Sequence, residues 1–145
     1  MKTAEQWLSE YARTHANPLN KRIHRICVPL ILWSVLALLT VIPKPSFAEN
    51  VLGLNWGTVV AVLSLGFYWR LGFRYFLSML GICSFMLITS AALRSLGLPL
   101  GWIAIGVFMG AWIGQFYGHK VEGQKPSFFE DLLFLLIGPL WVFKR

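Results

Sequence analysis

The chain has 145 residues, 57% hydrophobic and only 13% charged, with a net charge of +7. Soluble domains carry about a quarter charged residues, so this composition is that of a membrane protein. The basic excess flanks apolar runs, which points to anionic headgroups and topology and to no nucleic acid. The two cysteines, Cys27 and Cys83, form no CxxC pair, which removes zinc ribbons and iron–sulfur clusters.

In chain order, residues 1–14 contain no apolar core, so no cleavable signal peptide is expected and the first apolar run serves as an uncleaved anchor. Thr3 and Gln6 fit a capping box. Trp7, Tyr11 and His15 recur every four residues, predicting a short interfacial helix. Asn17-Pro18 signals a restart, with Asn as N-cap and Pro at the first helical position. The new helix runs into the membrane with a kink at Pro29.

A span needs about 20 apolar residues. Four runs qualify, none containing a charge: Ile26–Ile42, Val51–Trp69, Tyr75–Leu93 and Leu98–Tyr117. A fifth, Phe128–Phe143, has Glu130 and Asp131 near its start and is broken by Gly138-Pro139, predicting a re-entrant or interfacial segment. The expected fold class is an all-α membrane bundle: one domain over 1–145, with a cytoplasmic interfacial helix and site loop in 1–25, four spans in 26–117, and a second site loop and short segment in 118–145. With both termini cytoplasmic, only Lys44 and Arg94 of thirteen Lys and Arg fall on the far side, a strong positive-inside bias.

The fourth span carries Gly106, Gly110, Gly114 and Gly118 at four-residue intervals. This small-xxx-small ridge predicts a close helix contact along Gly106, Gly110 and Gly114, and offers a surface for a homo-oligomer.

All three histidines, His15, His24 and His119, fall on the cytoplasmic face. Imidazole ligates iron, zinc, copper and nickel, and two or three histidines with a carboxylate and an open position suit non-haem Fe(II). Glu122, three residues after His119, would share its helical face. His24 lies about 10 Å along a helix from Asn17, so His15 must fold back to share a metal with it. The plainer alternative makes each histidine an interfacial polar residue. Asn17 and Asn20 are candidates for orienting ligands or for capping. Arg22, Arg25 and Lys120 could hold a substrate carboxylate or merely satisfy the positive-inside rule. Dimetal desaturases need about eight histidines, no G-x-S-x-G elbow or Gly-rich phosphate loop occurs, and the spans lack a transporter's mid-membrane polar groups. Three functions remain: a lipid-oxidising iron enzyme, a membrane scaffold packing through the glycine ridge, and another lipid-acting metalloenzyme such as a zinc hydrolase.

Tyr11-x3-His15-x-Asn17-Pro18-x-Asn20-x3-His24, followed by Val28-Pro29, resembles the N-terminal signature of the 2-hydroxy fatty acid dioxygenase family. Gln115-Phe116-x-Gly118-His119, with Glu122 and Pro126, is similar to its second signature. The resemblance covers nearly the whole chain. It implies a small multi-span protein performing Fe(II)-dependent α-oxidation, in which a 2-hydroxy fatty acid and O2 give a fatty acid one carbon shorter without 2-oxoglutarate. It further implies His15, His24 and His119 as the catalytic iron ligands, with Tyr11, Asn17 and Asn20 in support. The His119–Glu122 interval is one residue shorter than in the fungal form, and the chain ends in Lys144-Arg145 where many relatives carry an acidic residue. The basic ending and compact loops suggest a bacterial inner-membrane member.

Overall fold

A computed structural model describes residues 2–13, 15–45, 51, 53–126 and 133–143. Among the described residues there are six helices and no strands: α1 (Ala4–Arg13), α2 (Pro18–Val41), α3 (Trp56–Leu71), α4 (Phe73–Ser95), α5 (Leu100–Glu122) and α6 (Phe134–Phe143). Three of them, α2, α4 and α5, are long and apolar enough to cross a membrane. Large apolar side chains point outward along the helices, including Leu63, Phe85, Ile88, Trp102 and Ile113. Apolar exposure on that scale suits a lipid-facing surface.

The chain divides into two compact units, one of residues 1–32 with 109–145 and one of Trp33–Phe108. In the second unit, α3 and α4 pack as a hairpin. Gly72 joins them with φ 137°, a left-handed region open to glycine, and its N–H bonds Tyr68 and Trp69 carbonyls to end α3. A Cβ on Gly57 would lie 2.8 Å from Leu36 O, so α3 starts hard against α2. Ala37, Leu100 and Ala104 form a small core beside Trp33 and Leu93. Cys83 is buried there, and Cys27 is buried in the first unit, both as free thiols.

In the first unit, Thr3 and Gln6 form the expected capping box at the start of α1, at 2.8 and 3.2 Å. Trp7 and Tyr11 do share a buried face, but protein covers it: Trp7 meets Phe134 edge-on at 5.4 Å, and Tyr11 meets Trp141 at the same distance. The apolar face of α1 is therefore covered by α6, a partner the sequence did not point to.

Three further expectations change. The run from Val51 becomes helical only at Trp56, because Asn55 and Thr58 exchange side-chain and backbone hydrogen bonds as a capping box. The resulting α3 has 16 residues, about 24 Å at 1.5 Å per residue against a hydrocarbon core of about 30 Å. Gly138-Pro139 does not break the fifth run; α6 continues through both. Its ten residues reach about 15 Å, too short to cross, while Glu130 and Asp131 lie outside the described residues. Finally, the glycine ridge is split. Nothing lies within 4 Å of a Cβ placed on Gly106 or Gly110, whereas Gly114 and Gly118 are tightly covered.

Candidate metal centre

The site is built from the linker between α1 and α2, the first turns of α2 and the last turns of α5. Asn17 caps α2, its Oδ1 accepting from Leu19 N–H at 2.8 Å, with Pro18 as the first helical residue. His24 lies six residues further on, and its ring falls four residues along from Asn20 on the same helical face. His15 precedes the cap, and the linker does fold it back. Its Nε2 lies 3.0 Å from His24 Nε2, which in turn lies 3.2 Å from His119 Nε2. The three histidines are buried, at 0%, 1% and 6% exposure, and offer ligand atoms all within 4.8 Å of one another.

Protonation follows from their other nitrogens. His15 Nδ1 sits 2.7 Å from Tyr11 O, and His24 Nδ1 sits 3.0 Å from Asn20 O. A carbonyl only accepts, so both Nδ1 atoms donate, and each neutral ring presents a bare lone pair at Nε2. Two lone pairs face each other at 3.0 Å, a repulsive arrangement unless a cation lies among them. An imidazolium proton is a poor candidate, because burial lowers the His15 pKa, against the Tyr11 hydrogen bond and the Glu122 charge, which raise it. A divalent metal ion fits the donor set: three buried imidazoles, two of them, His15 and His24, oriented through Nδ1 as metal-ligating histidines commonly are.

Tyr11 stacks flat on His15, with ring centroids 4.1 Å apart and planes 14° apart. Burial raises the Tyr11 phenol pKa well beyond its usual range, so the ring stays neutral. Glu122 does not turn its carboxylate to the three nitrogens. Oε1 accepts from Ala16 N–H at 2.8 Å, Oε2 from Asn17 N–H at 3.0 Å and from Asn20 Nδ2 at 2.9 Å. It closes the positive end of α2 and ties the end of α5 to the linker bearing His15. Asn20 thus serves twice, steering His24 through its carbonyl and Glu122 through its amide. Arg22, Arg25 and Lys120 are exposed. At about 100° per residue, Arg22 and Arg25 point about 200° and 100° away from His24, and Lys120 about 100° from His119.

Close approach of α5 to α2 sets the remaining geometry. A Cβ on Gly118 would lie 2.5 Å from Asn20 Oδ1, and one on Gly114 would lie 2.7 Å from Cys27 Sγ. Sequence reasoning missed Trp141, 5.5 Å from His15, and Gly138, against which the Tyr11 hydroxyl packs. Nothing local to the fifth run marks it as the cover of α1; the one signal was the Trp7–Tyr11 stripe, which required some partner.

A family model described as "Mpo1-like: 2-hydroxy-palmitic acid dioxygenase Mpo1-like" matches residues 1–145. No curated protein matches the chain, and no solved structure does. The match takes in the linker of His15, the helices of His24 and His119, and α6 with the rest. The chain belongs to the Mpo1-like family.

Proposed function

We propose that the chain is a membrane-embedded dioxygenase that shortens 2-hydroxy fatty acids by one carbon, with Fe(II) held by His15, His24 and His119. The overall reaction balances when the 2-hydroxy acid and O2 give the shortened acid, CO2 and water. The observation that carries this reading is the meeting of three buried Nε2 atoms at 3.0 and 3.2 Å in a chain of the Mpo1-like family. Fe(II) bound there would supply open coordination positions for O2 and for the carboxylate and hydroxyl of the substrate.

The chain's own residues have separate tasks. The Tyr11 and Asn20 carbonyls fix the tautomers of His15 and His24. The Tyr11 ring and the aromatic side chains of α6 keep water from the His15 side. Glu122 holds the linker, α2 and α5 in register through its backbone and amide contacts, and is not itself a ligand. Arg22, Arg25 and Lys120 are exposed; in this reading they lie at headgroup level and attract the substrate carboxylate while its acyl chain lies among the helices.

In the membrane, we place four crossings with both termini cytoplasmic, in a bacterial inner membrane. The short α3 is accommodated by local thinning. Cysteine labelling at the termini and at Glu49 tests this, and a C-terminus labelled from the periplasmic side would overturn it.

The decisive test of the chemistry is metal analysis and turnover of anaerobically purified protein. Stoichiometric Fe(II), O2 uptake and a one-carbon-shorter acid are expected. Zinc with no O2 uptake would point instead to a lipid hydrolase, and absence of any metal to a scaffold.

A further inference from the structure

We infer that Gln115 recognises the 2-hydroxyl of the substrate, its side-chain amide accepting a hydrogen bond from that hydroxyl in the layer next to the histidines. This rests on the 2-hydroxy acid reading above and adds to it a residue that determines specificity.

Its placement follows from helix geometry within the unit of residues 1–32 and 109–145. Gln115 stands four residues before His119 on α5, so the two share a face about 6 Å apart along the axis. At about 100° per residue, its direction falls between those of Gly118 and His119. Both of these meet α2: Gly118 at Asn20 and His119 at His24. Cys27 Sγ lies 2.7 Å from a Cβ placed on Gly114. The level of Gln115 on α5 is therefore set against that of Cys27 and Val28 on α2, one turn beyond His24. Both are buried, as is Ala111, one turn further along α5.

That layer leaves the amide without a match. Gln115 is 7% exposed, and its Oε1 is buried with no hydrogen-bond partner among the described residues. The side chains of Ala111 and Val28 offer no donor, and a cysteine thiol is only a weak one. Asn20, another buried amide of this unit, is tied to Glu122; no such tie holds Gln115. A buried carbonyl oxygen without a donor is destabilising, and an apolar side chain would occupy the same place without that cost. The oxygen accepts and cannot donate, so its partner must carry an O–H or N–H, which an ionised carboxylate lacks. On a 2-hydroxy fatty acid the one donor is the 2-hydroxyl, on the carbon beside the carboxylate. A molecule whose head reaches the histidines brings that hydroxyl to the neighbouring layer. Turning the amide over exchanges its ends but not this requirement. The shortened product has no 2-hydroxyl and leaves the oxygen unmatched again, so the same amide favours substrate over product.

Equilibrium binding to anaerobic, Fe(II)-loaded protein in detergent tests this without turnover, with 2-hydroxy-palmitic acid and palmitic acid as matched probes. The parent should bind the hydroxy acid more tightly. Gln115→Met, close to glutamine in length and shape, should cut that preference by about 10–100-fold. The loss should fall on the hydroxy acid, with palmitic acid affinity and iron content as in the parent. Ligand-free Gln115→Met should melt no lower than the parent, because an unmatched buried polar group gives way to an apolar one. Gln115→Leu repeats the test with a different shape. An unchanged preference in both variants would overturn the inference and leave the dioxygenase reading standing, the amide's partner then being a buried water. Equal weakening of both acids would overturn it as well, since the amide would then read the carboxylate. So would lost iron or a lower melting midpoint in both variants, which would make Gln115 a support of the cluster. A parent that binds neither acid would overturn the dioxygenase reading too.

Discussion

Along one face of α5, four glycines repeat at the same interval yet live in two environments. Gly106 and Gly110 look onto open space, while Gly114 and Gly118 are pressed against Cys27, Ile23 and Asn20 of α2. A small residue permits close approach, but only a facing helix at that level makes use of it. At the His119 end, the missing side chains let two helix backbones come near enough for their imidazoles to meet. At the other end the same residue type has no protein neighbour within 4 Å.

The comparison can be broken most forcefully at the histidines the crowded end supports. His24→Ala should abolish turnover of a 2-hydroxy fatty acid and strip the bound metal, measured by elemental analysis, because a three-ligand site does not survive the loss of one. Next comes the contrast itself. Gly118→Ala should destabilise the fold by roughly 1–3 kcal/mol in a detergent melt and lower metal content, since its Cβ would meet Asn20 Oδ1 at 2.5 Å. Glu122→Ala removes the tie between α5 and the linker without touching a histidine, and should weaken metal affinity by about 10–100-fold in a chelator competition. Asn17→Ala should cost about 1 kcal/mol through the lost cap of α2, read as a lower melting midpoint with the metal retained. Gly110→Leu should change stability by no more than about 0.5 kcal/mol. A large loss there would mean that the open face is covered by another helix, and the contrast would fail.

What was legible in the sequence was what local chemistry dictates. Asn17-Pro18 announces a helix start from its own side chains, and the structure uses both residues in that way. Segregation of His15, His24 and His119 to one face of apolar runs suggested a cluster, because few other reasons gather every imidazole of a chain. Less legible was anything decided by a partner distant in sequence. Glu122 stands three residues from His119, a spacing that fits a shared ligand face, yet its carboxylate is claimed by N–H groups 105 and 106 residues earlier. The capping pair Asn55–Thr58 was readable in principle, but lay inside an apolar run whose hydropathy dominated the reading. The path of α6 was not readable, since an all-apolar ten-residue helix has no polar face to reveal which side is covered.

The cluster also has a history in the order of synthesis. His15 and His24 leave the ribosome early, while His119 arrives 95 residues after His24 and the helix that covers Tyr11 comes last of all. Until α5 has been laid beside α2, a nascent chain holds only two of its imidazoles and lacks the carboxylate that closes the linker. A chain stalled or truncated before His119 therefore holds an incomplete cluster, with two of the three imidazoles and an unclosed linker.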